Sequence, residues 1–171
     1  MERLNQWLAL IGNIGVIAGI FFLAYEIQAN TNAVRSATYQ AYNESTFSWA
    51  DTVLEYSSEL AEIYQTKDLS ELTPEQRQVW IGFIFKAFTN MEANYLQHRA
   101  GAMDDDVFEA KMQGSIISMM CNPLWIRSWR HNSEIDGSGM TPEFRRYLDA
   151  RLARVQSEIS ADVLENYCAP Y

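Results

Sequence analysis

Hydrophobic positions follow two patterns in this chain: one unbroken run near the N-terminus, then stripes that repeat every three or four residues. The run is WLALIGNIGVIAGIFFLAY, from Trp7 to Tyr25, and it holds no formal charge. As a helix it extends roughly 28 Å, close to the hydrocarbon thickness of a bilayer. Trp7 and Tyr25 stand at its ends, where amphipathic rings favour the headgroup region. The core helix of a soluble domain normally keeps a polar stripe, and here the only strongly polar side chain is Asn13. A cleaved leader is not indicated either. MERLNQ sets Glu2 against Arg3, and EIQANTNA after the run offers no small-x-small cleavage site. The pattern predicts a single membrane span.

Within that span Leu8, Gly12, Gly15, Gly19, Phe22 and Glu26 recur with alternating four- and three-residue spacing and share one helical seam. GVIAG is a GxxxG step, which lets two helix backbones approach closely in lipid. Ala29 and Ala33 keep the seam small beyond it. The expectation is self-association through Gly12, Gly15 and Gly19. Asn13 lies about 100° off this seam, so Asn13 and Glu26 mark polar positions on different faces.

Downstream, every stripe has helical period and none alternates as a strand would. Trp49, Val53, Tyr56, Leu60 and Ile63 form one stripe, predicting a helix that continues from the span to Gln65, with NTN at Asn30 to Asn32 as a place for a kink or a fresh N-cap at the membrane surface. LTPEQRQVW opens a further helix, with Thr73 as N-cap, Pro74 at the first position and Gln76 closing a capping box. Its core stripe is Trp80, Ile84, Ala87, Met91 and Tyr95, and Gly101 ends it. Asp104 starts the next helix with two more acids in its first turn. Asn122-Pro123 stops that helix and caps the short PLWIRSWRHN segment, and EIDGSGM is a loop. Thr141-Pro142 opens the last helix, with Phe144, Leu148, Leu152, Val155 and Ile159 inward. The predicted fold is all-α: a transmembrane anchor over residues 1–28 running into a four- or five-helix bundle over 29–171.

Composition narrows the function classes. The 171 residues carry a formal net charge of −9, which argues against nucleic-acid binding, since that requires a basic surface. Charge is uneven, with Arg127, Arg130, Arg145, Arg146, Arg151 and Arg154 as the only cations after residue 126. Cys121 and Cys168 allow one disulfide but no disulfide framework; neither is in a CxxC or Cys/His array, so free buried thiols are the favoured reading and zinc is not indicated. Glu44, Glu92 and His98 are the residues that a di-iron bundle would draw on, but no Glu-x-x-His occurs. Nucleophile elbows, phosphate loops and EF-hand spacing are absent as well. The pattern calls for no cofactor, metal or catalytic residue. Trp125 and Trp129 share a face of PLWIRSWR, with Arg127 and Arg130 beside it. Such a helix suits the core, or a membrane surface or partner.

Three blocks carry a resemblance. QANTNAVRSATYQ places Gln28, Asn30, Thr31, Ala33, Arg35 and Gln40; NMEANYLQHRAGAMDDDVFE places Glu92, Tyr95 and Gly101; TPEFRRYLD places Pro142, Phe144, Arg145 and Tyr147. Together they resemble a widespread family of uncharacterised bacterial proteins with an N-terminal hydrophobic helix and a helical domain of this length. The resemblance covers most of the chain and implies no activity. It draws attention to Arg35 and Glu92 as a structural ion pair or hydrogen-bonded brace.

The functional expectation is a non-enzymatic, self-associating helical protein anchored in the lipid bilayer, acting as a scaffold or as an accessory subunit of a larger membrane complex. The alternative is a small homo-oligomeric channel or sensor, with Asn13 and Glu26 as constriction and mouth; a third reading is an enzyme whose site the bundle assembles from residues that no motif marks. A single-pass protein of a bacterial inner membrane fits the first two. Reduced cysteines would place the helical domain on the cytoplasmic side.

Overall fold

The computed structural model describes residues 2–66, 68–134, 139–160 and 168. Among them are six α-helices, one 3-10 turn and no strand: α1 (Glu2–Glu55), α2 (Ser57–Gln65), the turn Leu69–Glu71, α3 (Pro74–Arg99), α4 (Asp105–Met120), α5 (Pro123–Glu134) and α6 (Pro142–Glu158). The chain divides into two compact units, Met1–Gln40 and Ala41–Tyr171. Most of the EIDGSGM loop lies outside the described residues.

The described part of the first unit is the N-terminal stretch of α1, up to Gln40. No residue of α1 is fully buried, and its large apolar side chains, from Leu4 to Ile27, all face outward; Phe21 is 73% exposed. Asn30 to Asn32 do not break it. Thr31 Oγ1 donates to the Ile27 carbonyl at 2.8 Å, which spends the hydroxyl inside the helix rather than on a new cap.

In the second unit the predicted helix through Gln65 is interrupted. Tyr56 adopts φ −106°, ψ 25°, so α1 ends at Glu55 and α2 starts afresh at Ser57. The i→i−4 bonds on either side persist, from Tyr56 N to Thr52 O (3.1 Å) and from Leu60 N to Tyr56 O (2.8 Å). The bend turns Leu60 and Ile63 into the core, a gain in apolar burial that straight propagation would forfeit.

Local chemistry sets the other boundaries as expected. Thr73 and Gln76 form the reciprocal capping box of α3. Gly101 at φ +72° closes α3, with Gly101 N donating to His98 O and Ala102 N to Gln97 O, the paired bonds of a Schellman ending. The Asn122 side chain accepts from Leu124 N at 2.9 Å, capping α5. Thr141 Oγ1 accepts from Phe144 N at the start of α6.

α3 packs on α2 and α4, and α4 packs on α5 and α6. Their shared core is aromatic: Trp80, Phe83 and Phe88 of α3 meet Trp125 and Trp129 of α5, with ring centroids 5.1–5.8 Å apart. Trp49, near the end of α1, stacks on Phe83 at 4.3 Å. Polar tips inside this core are satisfied, with Trp80 Nε1 donating to Ser128 Oγ at 2.9 Å and Trp129 Nε1 to Asp149 at 2.6 Å. Lys86 ties α3 to the end of α1 by donating to the Ser48 carbonyl and to Thr52 Oγ1, both at 2.7 Å.

Tyr147 of α6 buries its hydroxyl without a hydrogen-bond partner among the described residues. Burial, which disfavours the phenolate, pushes its pKa up to about 12. An unfolded tyrosine ionises near pH ~10. The Tyr147 contribution is therefore fully present below that pH and is lost as pH rises from 10 towards 12, because the unfolded chain releases its proton first. Alkaline unfolding of Tyr147→Phe is expected to show a shallower loss of stability over that window than the parent protein.

Candidate functional site

The N-terminal glycines come first, since they carried the strongest sequence expectation. A Cβ added at Gly12, Gly15 or Gly19 meets nothing within 4 Å. Among the described residues, none packs against the face these glycines leave open. Asn13 and Glu26 are exposed on the same helix.

The other expected site residues belong to the interior. Trp125 (8% exposed) and Trp129 (1%) are core residues rather than a membrane- or partner-facing pair. Their four-residue spacing turns both indoles towards α3, where the aromatic cluster desolvates them. Arg127 and Arg130 stay on the surface, and Arg127 pairs with Asp68. Glu92, 8% exposed, uses Oε1 to accept from Thr141 N (2.6 Å) and Thr141 Oγ1 (2.7 Å). Its carboxylate thus sits at the N-cap of α6, where negative charge is favoured by the helix dipole. Arg35, its expected partner, belongs to the first unit. Removing the carboxylate leaves two donors unpaired, so Glu92→Ala is expected to cost about 2–3 kcal/mol in urea unfolding, and Glu92→Gln less, because an amide oxygen still accepts.

Cys121 and Cys168 are not free thiols. They form a disulfide with a Cα–Cα distance of 5.2 Å across 47 residues. Cys121 ends α4, and neither cysteine is fully buried. Proximity brought about by folding decides this pairing, and it removes the argument that put the helical domain on a reducing side.

A cavity of about 370 Å³ lies between the end of α1, α3 and α4. Its apolar floor is made by Trp49, Met91, Met119 and Trp125. The polar walls come from Ser45 of α1, Asn90 and Asn94 of α3, and Lys111 and Ser115 of α4. Ser45 Oγ donates to Asn90 Oδ1 at 2.7 Å, and Lys111 Nζ sits 3.5 Å from the centre of the Tyr42 ring. Gly114 also faces this space, and a Cβ there would meet nothing within 4 Å. A larger hollow of about 530 Å³ runs over Ile81, Phe85 and Met140, with mostly apolar walls.

Sequence reasoning did not single out Lys111, Asn90 or Asn94. A signal existed in the two asparagines four apart on one face of α3 and in a mid-helix glycine three residues after a lysine. Only the packing of α1 beside them makes these one site. Among the described residues no three His, Cys, Asp or Glu side chains converge on a metal-sized space. His98 Nε2 is instead within 2.8 Å of Asp105, and its ring stacks on Phe108.

No protein-family profile, curated protein or solved structure matches this chain.

Proposed function

We propose that the chain is a single-pass, membrane-anchored helical protein that self-associates through Gly12, Gly15 and Gly19 and acts as a scaffold or accessory subunit rather than as an enzyme. The observation that carries this reading is the state of α1 over its first half. It is the one described helix long and apolar enough to cross a membrane, and all its large apolar side chains are unburied. Lipid satisfies such a surface on most sides. The glycine seam, whose small size serves no contact among the described residues, suits close approach of a second copy.

The disulfide supports an orientation as well. Disulfides persist in oxidising compartments and are rare in the cytosol. We therefore assign the helical domain to the outer side of a bacterial inner membrane, with residues 1–6 on the inner side.

Native mass spectrometry of the nanodisc-held protein tests the association. A discrete oligomer is expected for the parent chain and a monomer for the Gly15→Leu/Gly19→Leu variant, because two leucines hold the backbones apart. A monomer in both cases would sink the seam, and an oligomer in both would move the contact elsewhere.

A further inference from the structure

We infer that the cavity between α1, α3 and α4 is a binding site for a small organic anion: one carboxylate carried on a flat or chain-like apolar body. This does not rest on the membrane reading, because every wall of the cavity belongs to the unit Ala41–Tyr171. Four features point the same way.

The first is charge. Acidic residues outnumber basic ones 22 to 13 in this protein, yet among the described residues no Asp or Glu lines the cavity, and Lys111 is the one Lys or Arg that does. The second is how that lysine is held. Arg99, Arg127, Arg151 and Arg154 each face a carboxylate. Lys111 instead rests on the Tyr42 ring, 3.5 Å from its centre. A ring face positions an ammonium without neutralising it, so the charge and its N–H donors remain available to a ligand anion.

The third feature is the division of the walls. Asn90 spends its oxygen on Ser45, which leaves its amide N–H groups for an acceptor. Asn94 and Ser115 add polar groups beside Lys111, while Trp49 and Trp125 supply apolar area opposite. Trp49 is locked in place by its stack on Phe83. An apolar pocket with a few converging polar groups is the usual form of a small-molecule site, and about 370 Å³ falls within the usual size range. The fourth is Gly114. Glycine weakens a helix interior, and nothing in the packing of α4 requires it, since a Cβ there meets open space. The space it leaves is the cavity itself.

The test uses the full chain in nanodiscs, read by tryptophan fluorescence and by calorimetry. Benzoate represents a free aromatic acid and octanoate a fatty acid. Benzamide and octanol are the uncharged counterparts, and inorganic phosphate is an anion without an apolar body. Saturable binding of benzoate or octanoate is expected, weakened at least about tenfold by Lys111→Met, as loss of one ion pair in a sheltered site implies. Lys111→Arg should restore most of it. Gly114→Leu, whose side chain intrudes into the cavity from the α4 wall, should weaken binding strongly while leaving the circular dichroism unchanged. Preference for benzoate identifies a soluble aromatic acid, and preference for octanoate a lipid-derived one. The inference is overturned if neither acid saturates, if benzamide or octanol bind as well as the acids, if phosphate alone suffices, or if Lys111→Met binds as the parent does. Should Gly114→Leu misfold, the pair Lys111→Met and Lys111→Arg decides the matter alone.

Discussion

Replacing both cysteines in Cys121→Ser/Cys168→Ser is expected to lower the unfolding free energy by roughly 4 kcal/mol, the loop-entropy value for a closed loop of this length. The bridge spans 47 residues of chain, and that span includes α5 and α6. Without it the unfolded chain regains the freedom of the whole segment. For a protein of this size such a loss corresponds to a fall in melting temperature of about 8–16 °C. Denaturant unfolding of the oxidised parent beside the double variant measures it. The same material reports on orientation. Maleimide labelling of intact cells should find no free thiol until a reductant is added. Equal stability of parent and variant, together with thiols that label before reduction, would return the helical domain to a reducing compartment.

The other large effect is expected at Trp80. This side chain is 1% exposed and lies at the centre of the aromatic core, within 6 Å of the rings of Tyr64, Phe83 and Trp125. Truncation to alanine removes that contact area and opens a cavity, at a cost of about 3–5 kcal/mol. It also deprives the Ser128 hydroxyl, itself 1% exposed, of the indole N–H that it accepts, which adds about 1 kcal/mol. A sum of that size is a large part of the stability of an ordinary domain, so Trp80→Ala is expected to populate unfolded protein near physiological temperature. Trp80→Phe keeps most of the volume and loses only the hydrogen bond, so it should cost far less. A loss below about 1 kcal/mol for the alanine variant would contradict the central position of this side chain.

The helix boundaries were readable where a few adjacent residues carry the cause. Thr73, Pro74 and Gln76 satisfy the first N–H groups of α3 without help from the rest of the fold. Gly101 takes a left-handed conformation that other residues adopt at a cost. Asn122 and Thr141 cap α5 and α6 by reaching only two or three residues ahead. The break at Tyr56 was not readable, since no glycine or proline marks it. It arises because Leu60 and Ile63 reach the core only if the chain turns there.

Candidate chemistry followed the same division. The spacing of Trp125 and Trp129 established that they share a face, but not whether that face meets protein or lipid. Their contacts with Phe83 and Phe88 decided for protein. Glu92 is a conspicuous acid on a helix, and only the approach of α6 shows that it accepts from Thr141.

By itself, the sequence determined the all-helical character of the chain, the uncharged run Trp7 to Tyr25 with its glycine seam, and the caps at four helix ends. All of these depend on interactions between residues within about four positions of one another, where propensity, periodicity and capping act directly. The tertiary structure decided the Cys121–Cys168 bridge, the burial of the two tryptophans and the cavity that gathers Ser45, Asn90, Asn94 and Lys111. Those features join side chains tens of residues apart. Which of them meet is set by how the helices pack to bury their apolar faces, a property of the whole fold rather than of any one segment.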